Sequence, residues 1–306
     1  MAVNTVLLEV HKELDAKMAP VNNWNLPLFY PGGAVAEHRF CRSECGIFDG
    51  GHRKIWQYAG DIAALDEKFS VPVSDMALGS VRECMLAGTD GKIAALYTVC
   101  RMAENDLLAI AEPGCTAAFP GGNDLSEVLS SITLLGRKAP EVLSGTGIAA
   151  ENIPAPDTWQ KLTIADEDDE FRVITLGISR FGEPGYELIF NAEYAAEIYD
   201  IFYRNAAVHP AGINAYESLR IESGTPAWSS ELSVKTAGDH IITVKLGRHP
   251  VKPGSDICDA AGNVIGKVSS SAFCPSDECA KIIGIMTQPV VSGSEVRSGE
   301  ITGVAE

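Results

Sequence analysis

VRECMLAGTDGKIAALYTVCRMAENDLLAIAEPG, residues 81–114, contains three strand-like runs divided by TDGK at 89–92 and AEND at 103–106. Short Asn-, Asp- and Gly-bearing spacers between apolar runs mark hairpins. Just upstream, RKIWQYAG (53–60) alternates as a strand does, and DIAALDEKF (61–69) has the pattern of a helix capped by Asp61. A carboxylate at that position accepts a hydrogen bond from the free N–H groups of the first turn. A strand, a helix and then an antiparallel set predict an α+β fold rather than a doubly wound parallel sheet.

Toward the N-terminus, Val6, Leu7, Val10 and Leu14 fall at helical spacing within 4–17. VNNWNLPLFYPGG (21–33) reads as loop plus a short strand, and AVAEHRFCRSECGIF (34–48) as helix up to Gly46. Toward the C-terminus, 123–134 and 136–144 are expected to be two short helices. ADEDDE (165–170) is expected to be a solvated turn between strands KLTI and FRVITLGI. AEYAAEIYDIFYRNAA (192–207) is an amphipathic helix, and NAYESLRIESG (214–224) is another. The texture changes after Leu232. HIITVKLGRHPVKPGSDICDAAGNVIGKVSSSAF (240–273) reads as short strands joined by PG, DAAG and GN turns, which suggests a small antiparallel barrel or sheet. The expected division is a core of 1–50 with 125–232, an inserted α+β subdomain of 51–124, and a barrel-like domain of 236–306.

Composition narrows the function. Net charge is −17, from 41 acids against 24 bases, which argues against nucleic acid, because backbone binding rests on Lys and Arg neutralising phosphates. The same excess argues against an anionic membrane surface. The N-terminal residues lack the apolar core of a signal peptide, and charges interrupt every long apolar stretch, so a cytoplasmic protein is expected. Neither close cysteine pair, Cys41/Cys45 or Cys274/Cys279, has CxxC spacing, and none of the six histidines lies near enough to suggest zinc. Reduced thiols and no metal site are expected.

Two segments stand out as candidate chemistry. In ISRFGEPGYELIF (178–190), glycines around Glu183 and Pro184 make a turn, after which alternation sends Tyr186 and Leu188 to one strand face and Glu187 to the other. On spacing alone, Glu187 is a solvent-facing hairpin residue. In GINAYESLRIESGTPAWSSEL (212–232), Arg220 and Glu222 approach a helix end at Gly224, where an internal ion pair is the ordinary account.

These segments resemble, in order, those of the glycine-cleavage T-protein (aminomethyltransferase) family. FGEPGYEL is similar to that family's YTGEDGFEL, and GINAYESLRIESG to its GLGARDSLRLEAG. EHRFCRSECGIFDGGHRKIWQYAGDIAALDE resembles EH…R…GLFD.SH…V.G.DA, and PVKPGSDICDAAGNVIGKVSSSAFCPS resembles the C-terminal G..V.D..G..VG.VTSG..SP. The four matches span about 34–276. The resemblance implies an aminomethyltransferase fold, with antiparallel sheets around a tunnel for a reduced folate and a small C-terminal barrel. It turns Glu187 from a surface residue into the carboxylate that holds the pterin. Such a group accepts two parallel hydrogen bonds from the 2-amino group and N3–H, as it would from an arginine fork. Arg220 matches the arginine of RLEAG, and its role stays divided between folate contact and a pair with Glu222. The family's ARD arginine falls on Tyr216. Arg180 replaces an aromatic residue and is a second candidate for the folate's carboxylate tail. Tyr186, Phe181 and Trp228 are candidate walls or ordinary core residues.

The departures are as informative. The family aspartate that positions and polarises the folate lies in NE.GGIIDDLIVYR, and the two acids fall here on Ala95 and Leu96. An acid–base group contributes roughly 10²–10⁴-fold in rate, and neither residue substitutes for it, so the catalytic residues stay unknown. Glu83 is a candidate for a relocated carboxylate, or a strand residue facing solvent. Lys92 replaces a glycine. Only SVKTAGDH separates EL from the barrel, where the family has a longer segment. The resemblance therefore implies a tetrahydrofolate-binding protein that transfers a methyl or methylene group to the folate. The alternatives are a non-catalytic folate-binding assembly or regulatory protein, and a T-protein with displaced chemistry. The implied partners are a small-molecule one-carbon donor and a carrier or corrinoid protein.

Overall fold

The computed structural model describes residues 2–88, 92–166 and 169–306. Most of TDGK and the middle of ADEDDE lie outside these residues. The chain divides into two compact units, Met1–Ala87 with Ala94–Ala215 and Gly88–Ile93 with Tyr216–Glu306.

The α+β expectation holds. In the first unit a six-stranded sheet runs in the order Trp159–Asp166, Asp169–Gly177, Gly185–Asn191, Leu129–Leu135, Cys45–Asp49, Val208–Pro210. Its neighbours are antiparallel except the last pair, which is parallel. A five-stranded sheet runs Val81–Ala87, Ile93–Ala103, Asp106–Ala111, Ile55–Ala59, Asn123–Asp124, so the three strand-like runs of 81–114 form as expected. The predicted helix at 61–69 is a 3₁₀ helix, Ile62–Lys68, and the Asp61 carboxylate accepts from the Ala63 N–H at 3.1 Å.

The helix Ala195–Tyr203 buries Ala195, Ile198, Tyr199 and Phe202, the i, i+3, i+4, i+7 stripe of an amphipathic helix. That stripe packs with Ile47, Ile132, Leu134, Leu188 and Phe190 of the six-stranded sheet. On the other face of the sheet, Leu176 and Ile189 cluster with Ile55, Cys100, Leu108 and Ile110 of the five-stranded sheet. The strand Gly185–Asn191 is therefore covered on both faces. Alternation assigns Glu187 to the correct face, but that face is an interior one.

One expected helix is not there. Residues 123–134 form a two-residue strand, Asn123–Asp124, and then most of the strand Leu129–Leu135. Leu125, Val128, Leu129 and Ile132 have helical spacing, which suggests a helix. Tertiary pairing overrides it: Ile132 and Leu134 face the helix-covered core, while Ser131 and Thr133 face Glu187. The helix expected at 136–144 forms as Ala139–Ser144.

In the second unit, six strands close a barrel in the order His240–Lys245, Cys279–Met286, Val264–Cys274, Asp256–Cys258, Glu295–Ser298, Ile301–Ala305. Val244, Ile257, Val268, Ile282 and Met286 fill it. Gly284 is required there, since a Cβ would lie 2.5 Å from the Ile257 side chain. Among the described residues, no helix is long and apolar enough to cross a membrane.

Candidate functional site

Glu187 sits mid-strand and is 1% exposed. A buried carboxylate needs hydrogen bonds and a counter-charge, and the neighbouring strand supplies the first. Thr133 lies directly opposite Glu187 in register, and the period-two rule places Ser131 on the same face. The Ser131 hydroxyl donates to Oε1 at 2.6 Å, and the Thr133 hydroxyl donates to Oε2 at 3.1 Å.

The counter-charge is Arg53. The chain leaves the strand Cys45–Asp49 through Gly50 and Gly51 and turns, with the Arg53 N–H donating to the Gly50 carbonyl at 3.0 Å. Gly50 passes directly over the site. A Cβ there would run into Ser131 Oγ and come within 3.2 Å of Glu187 Oε1. Arg53 then donates through Nη1 to Glu187 Oε2 at 2.5 Å, through Nη2 to Glu112 Oε1 at 2.9 Å, and through Nε to the Ala111 carbonyl at 3.1 Å. Arg180 donates to the same Glu112 oxygen at 3.0 Å. Glu187, Arg53, Glu112 and Arg180 thus form a chain of alternating charge, two negative and two positive. Burial alone would raise the Glu112 pKa. The Arg180 and Arg53 charges outweigh it and hold that carboxyl below its ordinary value.

A second buried chain pins the same turn. Asp49 accepts from the Thr5 hydroxyl at 2.6 Å, from His11 Nε2 at 2.9 Å and from the Gly51 N–H at 2.7 Å. His11 Nδ1 in turn lies 2.9 Å from the Tyr30 hydroxyl. With one ring nitrogen on a carboxylate and the other on a hydroxyl, His11 is oriented and satisfied. Burial pushes the Tyr30 hydroxyl far above its ordinary pKa, so this chain offers no nucleophile and serves to tie the N-terminal segment to the sheet.

His52, between the two chains in sequence, is different. Both of its ring nitrogens are buried without a hydrogen-bond partner. Burial lowers its pKa, Asp49 opposing, so the ring is neutral at pH 7. A neutral imidazole carries one donor and one acceptor, and leaving them unmet costs about 1–3 kcal/mol each.

The family model described as GCVT N-terminal domain matches residues 7–119 and 121–242. The chain belongs to the GCVT family. It is 27% identical over 307 residues to an aminomethyltransferase of Saccharopolyspora erythraea, covering 92% of this chain and 78% of that one. It is 26% identical over 328 residues to the mitochondrial aminomethyltransferase of Dictyostelium discoideum, covering 96% and 76%. The fold matches that of the glycine cleavage system aminomethyltransferase T from Bartonella henselae, with a TM-score of 0.87 at 21% identity over 100% of this chain and 96% of that one.

The other residues that the GCVT resemblance implicates have the following surroundings. Ala95 and Leu96 are buried and apolar, and the Leu96 carbonyl accepts from the Glu112 N–H at 2.9 Å. The residue beside the lost acids, one strand over, is thus itself an acid, already held by two arginines. Tyr186 packs in the helix-covered core, on the face opposite Glu187. Phe181 is buried at φ 56, and its carbonyl accepts from Arg42 at 2.7 Å. Arg180 meets Glu112 and, at 3.8 Å, Glu83. Glu83 has a side chain 58% exposed, which fits the solvent-facing alternative. In the second unit, Arg220 donates to Glu217 twice, to Glu231, to the Thr225 carbonyl and to Ser270. That uses all five guanidinium N–H donors. Arg220 therefore has ion pairs with Glu217 and Glu231, and its guanidinium is saturated within the fold. Trp228, also in the second unit, is half-buried and its indole N–H has no partner.

Sequence reasoning passed over Arg53, Glu112 and His52. All three lie in the segments that carry the resemblance or the hairpin pattern. The signal that finds Arg53 and Glu112 is the need of a buried carboxylate for a counter-charge. It becomes usable only once Glu187 is known to be interior.

Proposed function

We propose that this protein binds tetrahydrofolate with Glu187 as the pterin anchor and transfers a methyl or methylene group to it from a donor other than a lipoyl-bound aminomethyl group. The observation that carries the reading is a buried acid, Glu187, at the position of the family's pterin-binding carboxylate, bonded by Arg53, whose sequence neighbour His52 has an imidazole without hydrogen-bond partners. A buried polar group without a partner calls for an explanation, and for His52 we propose a hydrogen-bonding ligand. Glu187 would receive the 2-amino and N3–H edge, and His52 would offer a donor and an acceptor to the ligand. Arg180 is proposed as a positive charge near it. Arg220 is proposed as structural. Bound folate would supply the nucleophilic nitrogen. The chain's part is to orient it and exclude water, for which rigid strand positions serve better than loops. A small-molecule donor and a carrier or corrinoid protein are the proposed partners.

The non-catalytic alternative is favoured by one observation. Ala95 and Leu96 are apolar, and the acid beside them, Glu112, is already committed to Arg53 and Arg180. Calorimetric titration with 5-formyltetrahydrofolate, an air-stable reduced folate, tests the shared part. Glu187→Gln is expected to weaken binding at least about tenfold, since a charge-assisted bond contributes ~1.5–3 kcal/mol. Unchanged affinity in a folded variant would refute the anchor. Turnover separates the two readings: methyl-folate formed from tetrahydrofolate and a methyl donor, or methylene-folate formed from tetrahydrofolate and an aminomethyl donor with release of its amine, rules out the binding-only one.

A further inference from the structure

We infer that Arg53 is an internal mimic of the pterin edge, a latch that closes Glu187 and must swing off before folate binds. This rests on the proposed role of Glu187 and deepens it. A pterin's C2 carbon bears an amino group, N1 and N3, so the edge a carboxylate grips is a cyclic guanidine. Arg53 presents the acyclic version of the same group to the same acid, with Nη1 on Oε2 at 2.5 Å. Ligand and latch compete for one acceptor.

Three features distinguish a latch from a fixed structural pair. First, Glu187 is 1% exposed with Arg53 in place, so this conformation admits no ligand edge. Second, Arg53 has somewhere to remain when it lets go. Nη2 on Glu112 at 2.9 Å and Nε on the Ala111 carbonyl at 3.1 Å hold the guanidinium independently of Glu187, so release from Glu187 leaves both of these contacts in place and strands no positive charge. Third, the His52 ring, next to Arg53 in sequence, keeps both nitrogens buried and unmatched, so closing Glu187 with Arg53 does not satisfy the polar groups beside it. The charge balance agrees: when a neutral pterin replaces Nη1 on Glu187, both arginines still share Glu112.

A latch lowers apparent affinity by the fraction of molecules that are open, and a tenfold reduction corresponds to about nine molecules in ten closed. Arg53→Lys keeps the charge for Glu112 but lacks the second nitrogen needed to bridge to Glu187. In titrations with 5-formyltetrahydrofolate it is expected to bind at least about tenfold tighter than the wild type. Glu112→Gln, which weakens the latch's resting place, is expected to bind more weakly. In the wild-type protein, the NMR signals of the Arg53 guanidinium nitrogens are expected to shift at ligand saturation. If Glu187→Gln weakens binding while Arg53→Lys leaves it unchanged or weaker, the anchor stands and the latch is overturned. If Glu187→Gln has no effect, the folate reading itself fails and the latch with it. Should Arg53→Lys not fold, the wild-type spectrum decides, and an Arg53 signal unmoved at saturation overturns the proposal.

Discussion

Arg53 and Arg220 are both buried, and each is held by two carboxylates, yet their surroundings differ. Arg220 and its buried partner Glu231 are themselves fully matched, although the indole N–H of Trp228, in the same helical turn as Glu231, is not. All five donors are used, and its partner Glu231 accepts from Ser269, Ser270, Ser230 and the Ala227 N–H as well. Around Arg53 the acids are held, but His52 nearby keeps two ring nitrogens with nothing to bond. A saturated ionic cluster has no capacity for a ligand, whereas an undersatisfied one stays closed at a cost that a ligand can remove. The contrast supports the proposal that Arg220 is architectural and that the ligand site lies around Arg53, whereas the family resemblance nominates Arg220.

The largest expected effect breaks the saturated cluster. Arg220→Met leaves Glu231 buried without its counter-charge, which costs about 3–5 kcal/mol and is readable as a lowered midpoint in urea. The folded fraction is expected to bind reduced folate as the wild type does. Loss of affinity in a variant shown to be folded would return Arg220 to the ligand site and dissolve the comparison.

A smaller effect is expected from crowding the other cluster. Gly50→Ala pushes a methyl group against Ser131 Oγ and to within 3.2 Å of Glu187 Oε1. Overpacking of this kind costs about 1–3 kcal/mol, measured by denaturant unfolding, and is expected to weaken folate binding by disturbing the Ser131 bond. A mutant as stable as the wild type would show that the turn has slack and that the site is less tightly built than its distances indicate.

Smaller still is the pH response. The folded-state pKa of His52 is depressed below its ordinary 6.5 by burial, so as pH falls below that value the unfolded chain takes up a proton that the folded chain refuses, and stability declines. Glu112, depressed below 4.5 by Arg180 and Arg53 against its burial, contributes stability present above that value and lost as pH falls through its folded pKa. Thermal melts are expected to fall in two stages, the first as pH drops below 6.5 and the second as it drops below 4.5, and His52→Gln should remove the first. A first stage unchanged in that variant would mean that another group titrates there and that His52 is not buried as a neutral ring.

How much of this was legible in the sequence depended on how local the signal was. The hairpins of 81–114, the helix stripe of Ala195, Ile198, Tyr199 and Phe202, and the C-terminal barrel follow from period and turn chemistry, which act over a few residues. Residues 123–134 read as a helix because their apolar spacing fits one, and only pairing with Glu187's strand on one side and Cys45–Asp49 on the other makes Leu129–Leu135 a strand. The site failed for the same reason. Glu187 was located through its wording, but its partner Arg53 lies 134 residues away in sequence. Nothing in GGHRK announces a guanidinium aimed at a distant carboxylate. The sequence leaves Arg220 divided between folate contact and an internal pair, because its bond to Ser270 spans fifty residues, which no local pattern reveals.

The smallest effect concerns Glu83, the acid that sequence reasoning offered as a replacement for the lost aspartate. Its side chain is 58% exposed and reaches Arg180 only at 3.8 Å, so solvent screens most of the attraction. Surface pairs of this kind contribute about 0–1 kcal/mol. Glu83→Gln is therefore expected to change stability by less than ~0.5 kcal/mol and to leave folate affinity unchanged. It also sharpens the comparison at its edge. Glu112 accepts from the same arginine at 3.0 Å and is buried, so if the ionic chain ends at Arg180, the two acids should differ widely when substituted. Comparable losses from Glu83→Gln and Glu112→Gln, in unfolding and in titration, would extend the site to the surface and make Glu83 part of it.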